Sequence, residues 1–476
     1  VLLRSTLIYA PAILLTRMSA LLLLVIATRL IDQTEYGLLA LVVTIGEMTD
    51  IAVTNWLRIA LLRLGGKGDI SRGSLALAGR MLVVTTAIAM LISLVAAIAV
   101  VPERWAAFSL AVAAYLVSGS VNRFALTVLQ MQQRHSAYSL LELVRAILQL
   151  SLPVAAIEVF HASFLAVSLG SSLGALIAGL LAGSVAARRV IAGPSRFSQA
   201  EFLALGLPLL LMALVGFGIN SAERIVLKLY HDAGAVAMFA AAYALARQPI
   251  DMVANAINTG AFPEVVSRFD ENGSAAAGRL LSDLMALMVR LCLPVAVLIV
   301  VLADDITAIV LPPDYHGRSQ LLFAIIAFSV LAANLASFVY GCVAHAHKRP
   351  GLLIIANASG SVAAIVLSLL LIPAFAETGA ALALAGGAVA TLAACIAISR
   401  RLTPIPVPWR DIGLSILIAV ATGAAAWLGR EALAGGPVPF RLAAGAVAGG
   451  VAFVALTAAF HRAATARIAR GFLARL

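Results

Sequence analysis

Fourteen times along this chain an apolar run of about twenty residues gives way to a short polar, charge-bearing break. The runs lie near Leu7–Thr28, Tyr36–Leu57, Met81–Val101, Ala106–Leu129, Tyr138–Ile157, Phe164–Ala186, Phe202–Ser221, Ala235–Phe262, Leu284–Leu302, Leu321–Ala344, Leu352–Pro373, Gly379–Ser399, Ile412–Leu428 and Phe440–Phe460. A helix rises about 1.5 Å per residue, so about twenty residues match a hydrocarbon core of about 30 Å. Inside lipid every backbone N–H and C=O must find a partner within the protein, which leaves helices and closed barrels as the spanning structures. No period-2 alternation recurs, so a barrel is excluded. Only 12% of residues are charged, against about 25% in soluble globular proteins. The expected fold is an all-α polytopic membrane protein with fourteen transmembrane helices.

The basic residues test that map independently. With the N-terminus placed in the cytoplasm, 21 of the 33 Lys and Arg fall in inner loops and tails. The outer loops hold Arg29, Arg104, Arg224, Lys228, Arg318, Arg430 and Arg441, and Arg17, Arg123, Arg145, Arg247 and Arg290 fall inside spans. A bias of about three to one that alternates loop by loop is what the positive-inside rule predicts, with both termini cytoplasmic. All four tryptophans, Trp56, Trp105, Trp409 and Trp427, fall at or near predicted span ends. The net charge of +11 then belongs where anionic headgroups attract it, and implies no nucleic acid.

Several function classes drop out. No polar break is long enough for a soluble catalytic domain, and no P-loop, HExxH or GxSxG stands in a suitable context. The chain is therefore expected not to be an enzyme. Cys292, Cys342 and Cys395 lie inside spans without ligand-like spacing and read as small packing residues, with no disulfide, metal or cofactor implied. His345 and His347 flank Lys348 and Arg349 in an inner loop and read as part of a solvated basic segment. The first run is too long for a signal-peptide core and is expected to remain as a span.

A faint internal repeat organises the rest. Spans 1 and 7, 2 and 8, and 3 and 9 start about 200 residues apart. The expected organisation is a six-helix lobe over 1–196, a second over 197–402, and an extra helix pair with a basic tail over 403–476. Because six is even, the lobes share one topology about an axis along the membrane normal, a habit of transporters that hold substrate between their halves.

Span 8 carries the clearest chemistry. Arg247 lies only twelve residues past Ala235, about 18 Å along a helix, so Arg247 and Asp251 must sit near mid-membrane. At about 100° per residue, Tyr243, Arg247, Asp251, Asn255 and Asn258 share one arc of about 120°. On span 2 the residues Thr44, Glu47, Asp50, Thr54 and Arg58 share an arc of similar width. Charge at that depth faces protein or water, never lipid. Two equivalent helices with matching stripes point to a shared aqueous cavity, with Arg17 and Arg290 as further members. The alternative is that Arg247 and Asp251, one turn apart, only neutralise each other. Arg123, Glu142 and Arg145 sit nearer the cytoplasmic ends and read as snorkelling or mutually paired. Pro249 predicts a kink or hinge beside Arg247.

Three stretches carry a resemblance. RLIDQTEYGLLALVVTIGEMTDIAVTNWLRIALLR (Arg29 to Arg63) resembles the start of bacterial polysaccharide flippases, with Glu35, Tyr36 and Gly37 in the first loop. INSAERIVLKLYHDAGAVAMFAAAYAL (Ile219 to Leu245) is similar to their seventh-to-eighth helix junction, with Glu223 where Asp is more usual. LLIPAFAETGAALALAGG (Leu370 to Gly387) is similar to a third family pattern, but Ala374, Phe375 and Ala376 replace the usual glycine after the proline. The resemblance is to the Wzx-like flippases of the multidrug/oligosaccharidyl-lipid/polysaccharide (MOP) exporter superfamily.

That resemblance implies a multi-pass protein of the bacterial inner membrane. Its implied activity is to turn polyprenyl-pyrophosphate-linked oligosaccharide from the inner to the outer leaflet by alternating access, for O-antigen, capsule or exopolysaccharide synthesis. It also implies a cavity lined by helices 1, 2, 7 and 8. Arginine there suits pyrophosphate or an acidic sugar, and Asn220, Asn255 and Asn258 suit sugar hydroxyls. Helices 13 and 14 suit a substrate with a long lipid tail. Glu47 and Asp50 are expected to neutralise the nearby Arg17 and Arg58; proton or sodium coupling through them, and contacts with other polysaccharide-assembly proteins, remain open. Two alternatives stay beside this reading. A cation-coupled multidrug antiporter of the same superfamily would use Glu47, Asp50 and Asp251, and a membrane polysaccharide polymerase or ligase would need a larger outer loop than any here.

Overall fold

The computed structural model describes residues 18–65, 68–316, 319–349 and 351–460. Each of the fourteen apolar runs is helical where it is described, apart from the turn at Thr54 and the end residues Val101 and Leu302. In chain order the helices are α1 (Met18–Leu30), α2 (Gln33–Val53), α3 (Asn55–Leu64), α4 (Arg72–Val100), α5 (Trp105–Met131), α6 (His135–Val159), α7 (Phe164–Ala187) and α8 (Gln199–Tyr230). There follow α9 (Ala233–Val301), α10 (Ala303–Val310), α11 (Ser319–Leu335), α12 (Gly341–Ala346), α13 (Gly351–Leu402), α14 (Trp409–Glu431) and α15 (Val438–Phe460). Ten helical segments among the described residues are long and apolar enough to cross a membrane. No strand pairs beyond a single parallel bridge between Ser71 and Ile191 among the described residues.

Two of those segments hold two spans each. α9 runs through spans 8 and 9 and is interrupted at Gly273, with φ 77° and ψ −179°, a conformation that a Cβ disfavours strongly. α13 runs through spans 11 and 12 and is interrupted at Ala376, with φ 46° and ψ −124°. Pro249 does not break the helix: backbone angles stay helical across it, and Gly273 is the interruption in α9. Neighbouring turns absorb the missing N–H, as membrane helices commonly do. The short run at Ile412 is a regular 23-residue helix, α14. Between α11 and α12 the residues Ala336–Tyr340 form a π-helical turn.

The chain divides between Ala241 and Ala242 into two compact units. In the first, α5, α6 and α7 pack side by side, and α8 lies along α2 and α3. Trp56 belongs to this core: it is 6% exposed and meets Phe202 edge-on at 5.9 Å. The helical path continues past the end of the apolar run to Leu64, and the Trp56 ring turns inward. Trp105, Trp409 and Trp427 are exposed. The Glu-Tyr-Gly expected in the first loop instead forms the start of α2, where it has three separable jobs. Glu35 pairs with Arg104 and accepts from the Phe164 N–H at 2.7 Å, tying two further loops to α2. Tyr36 is buried. A Cβ on Gly37 would stand 1.7 Å from the Ala233 carbonyl oxygen, so only glycine admits the start of α9 there.

In the second unit α14 and α15 form an antiparallel-length hairpin of two 23-residue helices packed on each other. Ion pairs fasten them to the preceding helices at both ends. Arg290 of α9 donates to Asp411 at 3.2 Å. At the opposite end Asp305, fully buried in α10, takes Arg430 at 2.8 Å and also Arg441. Both arginines were assigned only to outer loops from sequence, and their common carboxylate gave no periodic signal.

Candidate functional site

The polar face of span 8 is built as its spacing predicts. Tyr243, Arg247 and Asp251 follow one another at intervals of four, which stacks them on one side of α9. Arg247 donates through Nε to Asp251 Oδ2 at 2.7 Å and through Nη1 to the Tyr243 hydroxyl. Its guanidinium carbon lies 5.2 Å from the Tyr243 ring centroid. The intrahelical pair weighed from sequence therefore exists. Yet 40% of the Arg247 side chain stays accessible against 12% for Asp251, so the carboxylate is the anchored partner and the guanidinium the one presented.

What anchors Asp251 comes from another helix. Asn334 of α11 donates its Nδ2 to Asp251 Oδ1 at 3.0 Å. Asn334 is buried and escaped the sequence reading, because a lone Asn in an apolar run carries no spacing signal. Asn255 bonds back to the Asp251 carbonyl at 2.7 Å. Asn258, one turn on, keeps a buried Oδ1 with no hydrogen-bond partner among the described residues.

The stripe on span 2 divides differently. Thr44 is buried and accepts from Arg224 of α8 at 2.8 Å. Asp50 is buried and pairs with Arg123 of α5 at 2.8 Å. Thr54, also buried, marks the turn between α2 and α3 and donates to the Asp50 carbonyl at 3.0 Å and to its carboxylate. Glu47 is the exposed acid of the set. Arg123, read from sequence as snorkelling or paired with Glu142 and Arg145, instead joins the Asp50 carboxylate. Glu142 and Arg145 do pair with each other, at 2.6 Å. These side chains border a polar cavity of about 150 Å³ between α5, α6 and α7.

Of the remaining candidates, Arg290 is 9% exposed and directed at Asp411. Arg17 and the side chain of Asn220 lie outside the described residues. His347 is more than loop: its Nε2 lies 2.9 Å from the Thr403 hydroxyl, and its ring meets Phe269 edge-on. The three cysteines are buried and free.

A model of the polysaccharide biosynthesis protein family matches residues 2–269, more than half of the sequence. This chain belongs to that family. No curated protein matches the sequence. Solved structures share its fold. A lipid II flippase, MurJ, in an inward closed conformation superposes with a TM-score of 0.77 at 12% identity, over 96% of this chain and 100% of that one. An inward-facing multidrug resistance MATE family transporter of the MOP superfamily gives 0.55 at 14% identity, over 84% and 94%. The Vibrio cholerae MATE transporter VcmN in its bent form gives 0.51 at 14%, over 87% and 97%. This member of the polysaccharide biosynthesis family is thus a multi-pass membrane protein of MOP-exporter fold.

Proposed function

We propose that this chain turns polyprenyl-pyrophosphate-linked oligosaccharide units from the inner to the outer leaflet of the bacterial inner membrane by alternating access. The product would feed O-antigen, capsule or exopolysaccharide assembly. Membership of the polysaccharide biosynthesis family supports the pathway, and the loop charge bias supports cytoplasmic termini.

The observation that carries the reading is Arg247. A guanidinium held in membrane-spanning helix by Tyr243 and Asp251, yet 40% accessible, is a fixed fork of donors for phosphate oxygens. Asp251 is itself tied to Asn334, so the arginine is oriented without being neutralised by a mobile partner. On this reading Arg17, Glu47, Asp50, Thr54, Tyr243, Asn220, Asn255, Asn258 and Arg290 belong to the substrate path or support it, and 1–196 and 197–402 are the two lobes that alternate.

The test is translocation by purified protein in proteoliposomes, read by outer-leaflet accessibility of a polyprenyl-pyrophosphate-linked oligosaccharide, with wild type beside Arg247→Ala. The reading expects transport that is lost in the variant. Exposed Glu47 keeps a second reading in view, a cation-coupled antiporter. Efflux of a cationic dye under a proton or sodium gradient, with no lipid movement and with loss in Glu47→Gln, would favour it.

A further inference from the structure

A cavity of about 260 Å³ lies wholly within the second unit, walled by α9, by the π-turn and α12, and by α13. That volume holds roughly eight waters at about 30 Å³ each, room for one sugar ring and too little for an oligosaccharide. Its wall is polar: Asn258, Ser337, Asn357 and Thr391 line it, with His345 as its titratable group and no carboxylate, arginine or lysine among the described lining residues. His345, Cys342 and Cys395 are not grouped to hold a metal among the described residues, no arginine or lysine is present for a phosphate, and the amides disfavour a hydrocarbon tail.

Four observations mark the cavity as more than a packing gap. The Asn258 Oδ1 is buried with no hydrogen-bond partner among the described residues. Leaving such an oxygen unmet costs about 1–3 kcal/mol, so the group awaits a donor from outside the protein. Thr391 donates to the Gly387 carbonyl at 3.0 Å, which leaves its oxygen able to accept. Beside these acceptors Phe262 offers an apolar surface, held edge-on to His345 at 5.9 Å. The π-turn Ala336–Tyr340 forms the opposite wall, and such turns concentrate at functional sites. A pyranose presents the matching pair of surfaces, a C–H face and a rim of hydroxyl donors.

Position adds to composition. Asn258 stands eleven residues beyond Arg247 on the same α9 face, about 16 Å along the axis. We propose that this cavity is a subsite for one uncharged pyranose residue of the translocated lipid-linked oligosaccharide, read by the Asn258 and Asn357 amides and the Thr391 hydroxyl against the Phe262 ring. The inference rests on the flippase reading above and adds a selectivity to it: neutral sugars fit this cavity, and uronic acids meet no fixed counter-charge, His345 being the titratable group among the described lining residues.

The protein carries its own reporters. Cys342 and Cys395 line the cavity and Cys292 does not. In purified full-length Cys292→Ser protein in nanodiscs, methanethiosulfonate labelling is timed with three probes: bare polyprenyl pyrophosphate, the same lipid bearing a neutral disaccharide, and one bearing a uronic acid. The neutral disaccharide lipid should slow labelling several-fold more than the bare lipid, and the uronic lipid should not. Asn258→Leu and Asn357→Leu should each erase that difference and slow neutral-sugar translocation about tenfold, with binding of the bare lipid unchanged. Equal protection by bare and neutral-sugar lipids, or by neutral and uronic lipids, overturns the subsite while leaving the flippase reading intact. If no polyprenyl pyrophosphate slows labelling or is translocated, the flippase reading fails and the subsite with it.

Discussion

Asn334 and Asp251, 83 residues apart in the chain, are joined by a hydrogen bond of 3.0 Å between two membrane-spanning helices. The bond fixes the carboxylate that in turn orients Arg247. A hydrogen bond to a charged group contributes about 1.5–3 kcal/mol. Asn334→Leu should therefore lower the thermal midpoint of the purified protein by a few degrees and reduce translocation, with Asn334→Gln recovering part of both. Unchanged transport in Asn334→Leu would remove Asn334 from the support of Arg247.

Two ion pairs in the second unit should behave oppositely. Asp305 is fully buried between Arg430 and Arg441, whose side chains are 21% and 25% accessible; breaking a fully buried pair costs about 3–5 kcal/mol, and the partly exposed arginines place this one toward the lower end. Asp305→Asn should strongly lower the unfolding temperature. Arg268 and Glu264 are each about half exposed, and such pairs contribute at most about 1 kcal/mol. Arg268→Ala should leave the same melting curve almost unmoved.

Ala376 occupies positive φ where the resembled family carries glycine nearby. A non-glycine residue in such a region stores roughly 1–3 kcal/mol of strain. Ala376→Gly removes the clashing Cβ, offset by about 0.5–1 kcal/mol of added unfolded-state entropy. The expected result is an equal or higher melting temperature, whereas Ala376→Val should lower it.

The capping box that starts α8 gives a pH dependence. Glu201 accepts from the Ser198 N–H at 2.7 Å and from its hydroxyl at 3.0 Å, and these bonds hold its carboxyl below the usual carboxylate pKa. A depressed folded pKa means stabilisation fully present above the unfolded value, about 4.3, and lost as pH falls through the folded one. Amide protection in the first turn of α8, measured relative to the intrinsic exchange rate at each pH, should therefore fall as pH drops below about 4.3, and Glu201→Gln should flatten that dependence.

Gly37 tests the close approach of the start of α2 to α9. An added methyl would overlap the Ala233 carbonyl oxygen at 1.7 Å, which is backbone and cannot rotate away. Overpacking of this kind costs about 1–3 kcal/mol. Gly37→Ala should reduce the yield of folded protein and its melting temperature, while Gly260→Ala, with open space around it, should not.

How far the sequence reached follows from which signals are periodic. A run of twenty apolar residues and a polar stripe at intervals of three and four are properties of one helix. The helical map and the Tyr243–Arg247–Asp251 face were therefore legible before any packing was known. The direction of the Trp56 ring was not legible for the same reason: a span end inferred from hydropathy does not say which way the ring turns, and here it turns onto Phe202. Pro249 reads from sequence as a kink, a hinge or a static bend because proline removes a bond; the helix runs continuously through it, and the non-helical residue in α9 is Gly273.

The sequence by itself determined that this chain crosses a membrane many times as helices, because hydrocarbon thickness and backbone hydrogen bonding admit no other use of such runs. It also determined which face of span 8 is polar. Only the tertiary structure decided who partners whom: Asp50 with Arg123, Asp251 with Asn334, and Asp305 with two arginines more than a hundred residues away. A charge buried in a membrane protein must find its counter-charge or donor on whichever helix lies beside it, and adjacency among apolar helices is set by packing shapes that no single segment records.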